Sequence, residues 1–316
     1  MLVLGGCGSK ATSDPTPGKD GASDKLQIVA TFYPMYEFAR QVAGDAAEVT
    51  MLVPAGVEPH DWEPSAKDMA QIQNADVFIY NGIVENWAEK ALSSTKNDKR
   101  IVVEASHNLP LLKPAEGEEG EHAESDGHVD KDGHAEDDEG HDHAVDPHVW
   151  LSPLLAQMQV AAIADGLSEA DPERASQYVE NAAAYQAKLA ALDAEYRASL
   201  DGLTRRAFVT QHAAFSYLAR EYNLVQKPIS GLSPEREPSP NKMAEIIQFV
   251  RENQVKTIFF ETMVDPKIAE TIAKEVKADT AVLNPIEGLT AEEKANGDDY
   301  LSIMRRNLQE LTKALQ

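Results

Sequence analysis

The sequence predicts an α/β protein of two lobes, each on a mainly parallel four-stranded sheet, joined by one long rigid α-helix. Three observations predict it. Short apolar runs alternate with helical patterns, four runs in the first part of the chain and four after its middle, which is the rhythm of βαβ units. Residues 171–200 form an alanine-rich stretch with no glycine or proline between Pro172 and Gly202. A motif also recurs at identical spacing. Glu63-Pro64-Ser65 with Met69-Ala70 and Ile72 precedes one apolar run, and Glu237-Pro238-Ser239 with Met243-Ala244 and Ile246 precedes another. Such an echo fits two lobes with a common plan.

In chain order, strands are expected at 26–31, 49–53, 77–81 and 101–104, then at 207–210, 224–226, 257–261 and 280–283. Helices are expected at 34–43, 65–74, 86–92, 216–222, 240–253 and 266–276. In the middle stretch Asp171 suits the N-cap and Pro172 the first turn. At about 1.5 Å per residue it runs roughly 40 Å, enough to cross both lobes as a strut that resists wide hinge closure. The expected boundaries are a 1–24 leader remnant and tether, an N-terminal lobe 25–165, the joining helix 166–202 and a C-terminal lobe 203–316.

Charge is unevenly distributed. The net charge is −24, and residues 116–146 hold fourteen acids against one lysine, so that segment carries 13 of the 24. It also holds His122, His128, His134, His141 and His143, five of the nine histidines. With little apolar residue to bury, it is expected to be a solvated loop. Imidazole and carboxylate together are donors that divalent metals accept, so the loop reads as a low-affinity metal collector. No basic stripe offers itself to phosphates, which excludes nucleic acid as a partner. An acidic surface instead concentrates cations.

The single cysteine, Cys7, follows Leu4-Gly5-Gly6 after a short apolar start, resembling the end of a bacterial lipoprotein signal. Met1–Leu4 is short for a complete signal, and clipping is the expected reason. Lipid on Cys7 would place the protein outside the cytoplasm at a membrane surface. Residues 8–24 read as a flexible tether, and one cysteine excludes an internal disulfide framework. No later apolar run approaches a membrane span.

Outside the acidic loop stand His60, His107, His148 and His212. His60 lies in a turn after the second expected strand. His148 precedes a helix, and His212 follows the fifth strand. Ligands of open α/β sheets gather beyond the carboxyl ends of strands, so these three histidines point toward one cleft. Pro59 and Pro147 stiffen the backbone before the first two. Glu287, after the last strand, could add an oxygen donor. Glu261 ends a strand and competes for that role, although helix capping or an ion pair with Lys267 suits it better. Asp146 is placed to hydrogen-bond His148 from behind. His107 has no such setting and reads as surface.

Pro59-His60-Asp61-Trp62-Glu63-Pro64, Asp146-Pro147-His148-Val149-Trp150-Leu151-Ser152-Pro153, Gln211-His212-Ala213-Ala214-Phe215-Ser216-Tyr217-Leu218 and Leu283-Asn284-Pro285-Ile286-Glu287-Gly288-Leu289 occur in that order. Together they resemble the zinc-binding lipoproteins of bacterial ABC importers, the cluster A-I metal receptors of the zinc-specific, ZnuA/AdcA-like branch. The resemblance runs from about Leu26 to the C-terminus and includes the histidine-rich insertion. It implies a metal site between the lobes, with His60, His148, His212 and Glu287 holding Zn(2+). It also implies delivery of the ion by a monomeric receptor to an ABC permease with its ATPase. Some relatives carry a carboxylate immediately before the first histidine. Here Pro59 separates Glu58 from His60, and Glu58 is not expected to be a ligand. Manganese receptors of this family tend to have a carboxylate where this chain has His212. The alternatives are a receptor for manganese or another divalent metal and, in a different class, a zinc-dependent hydrolase. No His-Glu-x-x-His helix speaks for the latter.

Overall fold

A computed structural model of the chain describes residues 25–113, 145–234 and 237–316. The N-terminal lobe contains β1 (Leu26–Ala30), α1 (Tyr33–Ala43), β2 (Ala47–Met51), α2 (Ala66–Asn74), β3 (Val77–Tyr80), α3 (Ala88–Ser94) and β4 (Ile101–Glu104). Two long helices follow, α4 (Pro153–Ala170) and α5 (Ala175–Leu200). The C-terminal lobe contains β5 (Ala207–Thr210), α6 (Ser216–Glu221), β6 (Val225–Pro228), α7 (Pro240–Glu252), β7 (Thr257–Phe260), α8 (Lys267–Val276), β8 (Asp279–Val282), α9 (Ala291–Asn296) and α10 (Tyr300–Leu315).

The sheets have the same plan, β2-β1-β3-β4 and β6-β5-β7-β8, with every pairing parallel. The repeated sequence motif falls at equivalent places in both lobes. Ser65 and Ser239 are the N-caps of α2 and α7, each accepting from the backbone N–H three residues on. Those helices lead into β3 and β7, the third positions of the two sheets. All eight expected strands are present, displaced by at most two residues at their ends.

The expected 171–200 helix divides in two. Pro172–Arg174 form a 3₁₀ turn, and the α-helix proper begins at Ala175. Asp171 does not cap α5. Its carboxylate accepts from the Arg174 guanidinium and, at 3.0 Å, from the Tyr178 hydroxyl, so it closes the tight connection from α4. The expected lobe boundary at 165/166 falls inside α4.

The 26 residues of α5 extend about 39 Å. Tyr178, Ala182, Tyr185, Leu189, Leu192, Tyr196 and Leu200 form one buried stripe at helical spacing. That stripe touches α1, α4 and α10 and thereby ties the lobes together. Toward its start, Asn181 Nδ2 donates to the Val42 carbonyl at 2.9 Å. Toward its end, Tyr196 Oη donates to the Met304 carbonyl at 2.7 Å and Glu195 takes both bonds of a fork from Arg305 at 2.8 and 2.9 Å. The core is continuous through this junction, where Phe38 meets Tyr185 and Tyr300 with ring centroids 6.1 and 5.1 Å apart. Among the described residues, no helix is long and apolar enough to cross a membrane.

Candidate metal centre

Each candidate side chain is delivered by a stiffened segment at the interlobe crevice. His60 lies on the loop after β2, where Pro59 restricts the backbone and the Glu58 carboxylate accepts the His60 N–H at 3.0 Å. Trp62, two residues on, anchors that loop edge-on against Trp87, centroids 5.3 Å apart. His148 precedes a 3₁₀ turn, Val149–Leu151, that leads into α4. Its N–H and Nδ1 both meet Asp146 Oδ1, at 3.0 and 2.8 Å. His212 follows β5, and its N–H and Nδ1 both meet Glu261 Oε1, at 3.1 and 2.7 Å. Glu287 lies on the loop after β8 and is fully buried.

Four donor atoms converge. His60 Nε2 and His148 Nε2 are 3.3 Å apart, and His148 Nε2 and His212 Nε2 are 3.2 Å apart. Glu287 Oε1 lies 3.2 Å from His60 Nε2, 3.2 Å from His148 Nε2 and 3.3 Å from His212 Nε2. All four atoms lie within 4.8 Å of one another. A tetrahedron with corners about 2.0 Å from its centre has edges of about 3.3 Å, which the five distances above match, so these atoms suit one four-coordinate ion with ordinary nitrogen and oxygen ligand distances.

The carboxylates behind the rings fix their tautomers. A proton on Nδ1 of His148 and of His212 satisfies Asp146 and Glu261 and leaves each Nε2 lone pair facing the centre. Without a cation, burial alone would lower both imidazoles. In His148 this is outweighed by the hydrogen bonds to Asp146 and Glu287, and in His212 by the charges of Glu261 and Glu287, so both are raised above the usual histidine value. Burial would raise Glu287, but the charge of His212 and hydrogen bonds from all three imidazoles hold it well below the carboxylate range. His60 is lowered by burial, which its bond to Glu287 does not offset. The glutamate thus stabilises positive charge at the centre of the three imidazoles, the place a dication would take.

The structure brings His60, His148, His212 and Glu287 together and leaves His107 outside, with its side chain 68% exposed. Glu261 corrects the expectation of capping or pairing with Lys267. Lys267 Nζ pairs instead with Asp265 Oδ2 at 2.5 Å. Glu261 lies just past β7, which pairs with β5, so it comes beside His212, two residues beyond the end of β5. Glu58 is outside the tetrahedral set, 4.0 Å from His60 Nε2. Burial and the nearby Glu287 charge push its carboxyl up to about 9. Cys7 and the histidines at 122, 128, 134, 141 and 143 lie outside the described residues.

Sequence spacing did not disclose the ties across the crevice. Trp150 Nε1 donates to the Pro285 carbonyl at 2.8 Å, Tyr300 Oη to the Trp150 carbonyl at 2.5 Å, and Tyr217 Oη to the Asp146 carbonyl at 2.7 Å. The segment carrying His148 is therefore bonded directly to the C-terminal lobe that carries His212 and Glu287.

Two parallel-sheet lobes bridged by a helix, with imidazoles and a carboxylate converging between them, define the class of two-lobed metal-binding receptors. The chain belongs to the ZnuA family, described as zinc-uptake complex component A, periplasmic, whose model matches residues 28–314. It is 44% identical over 316 residues to the high-affinity zinc uptake system protein ZnuA of Bacillus subtilis (strain 168), covering 100% of this chain and 94% of that protein. It is 46% identical over 291 residues to the zinc-binding lipoprotein AdcA of Streptococcus pneumoniae (strain TIGR4), covering 92% of this chain but only 56% of AdcA. The crystal structure of the Zn(II)-bound ZnuA-like domain of S. pneumoniae AdcA superposes with a TM-score of 0.75 at 42% identity, over 92% of this chain and 99% of that one.

Proposed function

We propose that this chain is a high-affinity receptor that captures Zn(2+) outside the cytoplasm and delivers it to an ABC permease with its ATPase. The single observation that carries the reading is the cage of three imidazole nitrogens and one carboxylate oxygen, with five of its six edges at 3.2–3.3 Å and all four atoms within 4.8 Å of one another. The ligands are His60, His148, His212 and Glu287. Zinc accepts such a set tetrahedrally, whereas manganese prefers more oxygen donors and a higher coordination number. The names of the zinc-uptake relatives support the same cargo. A catalytic zinc keeps one position open for water. Here Glu287 takes the fourth corner, which favours a carrier over a hydrolase.

The acidic segment 116–146 gathers ions at low affinity and feeds the buried site, and Cys7 carries the lipid that holds the receptor at the membrane. Zinc titration against a competing chelator tests the core of this reading. His60→Ala, His148→Ala and His212→Ala should each weaken binding by more than the roughly 10–100-fold typical of losing a supporting residue. Deleting 116–143, which spares Asp146 behind His148, should slow loading at scarce zinc and leave the tight site intact. Undiminished affinity in the histidine variants, or loss of tight binding on deleting the segment, would overturn the respective assignment. For the anchor, labelled fatty acid should enter the wild type and not Cys7→Ala; equal incorporation would exclude Cys7.

A further inference from the structure

The loop that carries Glu287 has an unusual backbone. Ile286 has φ +58°, in the left-handed region that a β-branched residue enters only when its surroundings force it. Its side chain is fully buried. The forcing groups can be named one by one. Asn307, buried on α10, pairs with Asn284 as the edge of a neighbouring strand would. Its Oδ1 accepts the Asn284 N–H at 2.9 Å and its Nδ2 donates to the Asn284 carbonyl at 2.7 Å. Asn284 in turn accepts the Ile286 N–H on its own Oδ1 at 2.7 Å, while its Nδ2 is held by Glu293 Oε1 at 2.8 Å. The Pro285 carbonyl takes the Trp150 indole N–H. The Leu283 N–H donates to the Phe260 carbonyl at 2.9 Å. The N–H groups of Leu283, Asn284 and Ile286 and the carbonyls of Asn284 and Pro285 are thus all committed, and Pro285 has no N–H to give.

We propose that Asn307 is a positioning residue for the metal site, clasping Asn284 so that Ile286 stays left-handed and the Glu287 carboxylate is aimed at the three imidazoles. The Asn307 amide spends its hydrogen bonds on Asn284 and makes none to His60, His148, His212 or Glu287. It acts only through the loop, from a helix 23 residues further along the chain. Its helix is also bonded to α5 through Tyr196 and Glu195, so the aim of Glu287 is referred to the helix that joins the lobes. This assignment rests on the zinc-receptor reading above.

A double-mutant cycle on zinc affinity tests it, with Asn307→Leu, Glu287→Ala and the double variant in the full chain. Asn307→Leu should weaken zinc binding about 10–100-fold. The double variant should bind no more weakly than Glu287→Ala alone, because a residue acting through Glu287 has nothing left to position. Cobalt-loaded Asn307→Leu should also lose visible-band intensity as its tetrahedral geometry is relaxed. Should Asn307→Leu fail to fold, Asn307→Asp keeps the acceptor for the Asn284 N–H and sets an oxygen against the Asn284 carbonyl, with the same expectations. Additive losses, or unchanged affinity in the Asn307 variants while Glu287→Ala is impaired, would overturn the positioning role alone. Full zinc affinity in Glu287→Ala would overturn the ligand assignment and the positioning role with it.

Discussion

His148 and His212 are held by the same device. In each, one carboxylate oxygen takes both the backbone N–H and the Nδ1 proton, so ring and main chain are fixed together. One version is local, from Asp146 two residues back. The other comes from Glu261, 49 residues away. That contrast explains what was legible. Asp146 could be read from its spacing, whereas Glu261 required knowing that β7 lies beside β5. The pH behaviour follows from the same groups. His148 and His212 are raised above the ordinary 6.5, and Glu287 is held well below the ordinary 4.5. In the metal-free protein the histidine contribution to stability is complete below about pH 6.5 and is lost as pH rises through their elevated values. The Glu287 contribution is present above about pH 4.5 and is lost as pH falls through its depressed value. Zinc binding has the opposite trend, since the ion must displace the imidazole protons. Affinity should fall steadily from pH 7 to 5, with protons released on loading, as followed by calorimetry in buffers of different ionisation heat. Constant affinity over that range would contradict histidine ligation.

Among the elements, the inner strands β1, β3, β5 and β7 were legible because each carries a short apolar run, buried along much of its length and bounded by turn residues. The helices α9 and α10 were not assigned from sequence, although both carry capping boxes, Thr290 with Glu293 and Asp299 with Ser302. Their apolar spacing lies in a charged stretch that resembles a surface tail until α10 is seen packed on α5. The split at Asp171 was missed for a related reason. Asp-Pro is an ordinary helix start, and only the preceding α4, packed against α5, turns it into a tight connector. The placement of α4 depends on Gly166. A Cβ there would lie 2.2 Å from Val103 Cγ2 on β4, so the glycine permits the close helix–sheet approach. Gly166→Ala should destabilise the protein by about 1–3 kcal/mol through overpacking, measured by denaturant unfolding of the metal-free form. An unchanged midpoint would show that α4 can shift without loss.

Across the whole molecule, the cage is completed by both lobes, His60 and His148 from one side and His212 and Glu287 from the other. The bonds from Trp150, Tyr300 and Tyr217 fasten the His148 segment to the opposite lobe, so three of the four cage residues share one bonded frame. His60, 11% exposed in its side chain and without a carboxylate on Nδ1 among the described residues, completes the cage from its own loop. Convergence at strand ends was legible from sequence because parallel sheets collect ligands there. The lock between the lobes was not, because it consists of aromatic hydroxyl and indole donors meeting backbone carbonyls far away in the chain. X-ray absorption spectroscopy of the full chain loaded with one equivalent of zinc tests the cage most directly. It should show a four-coordinate shell of three imidazole nitrogens and one oxygen at about 2.0–2.2 Å. A six-coordinate shell, or fewer than three imidazoles, would contradict it.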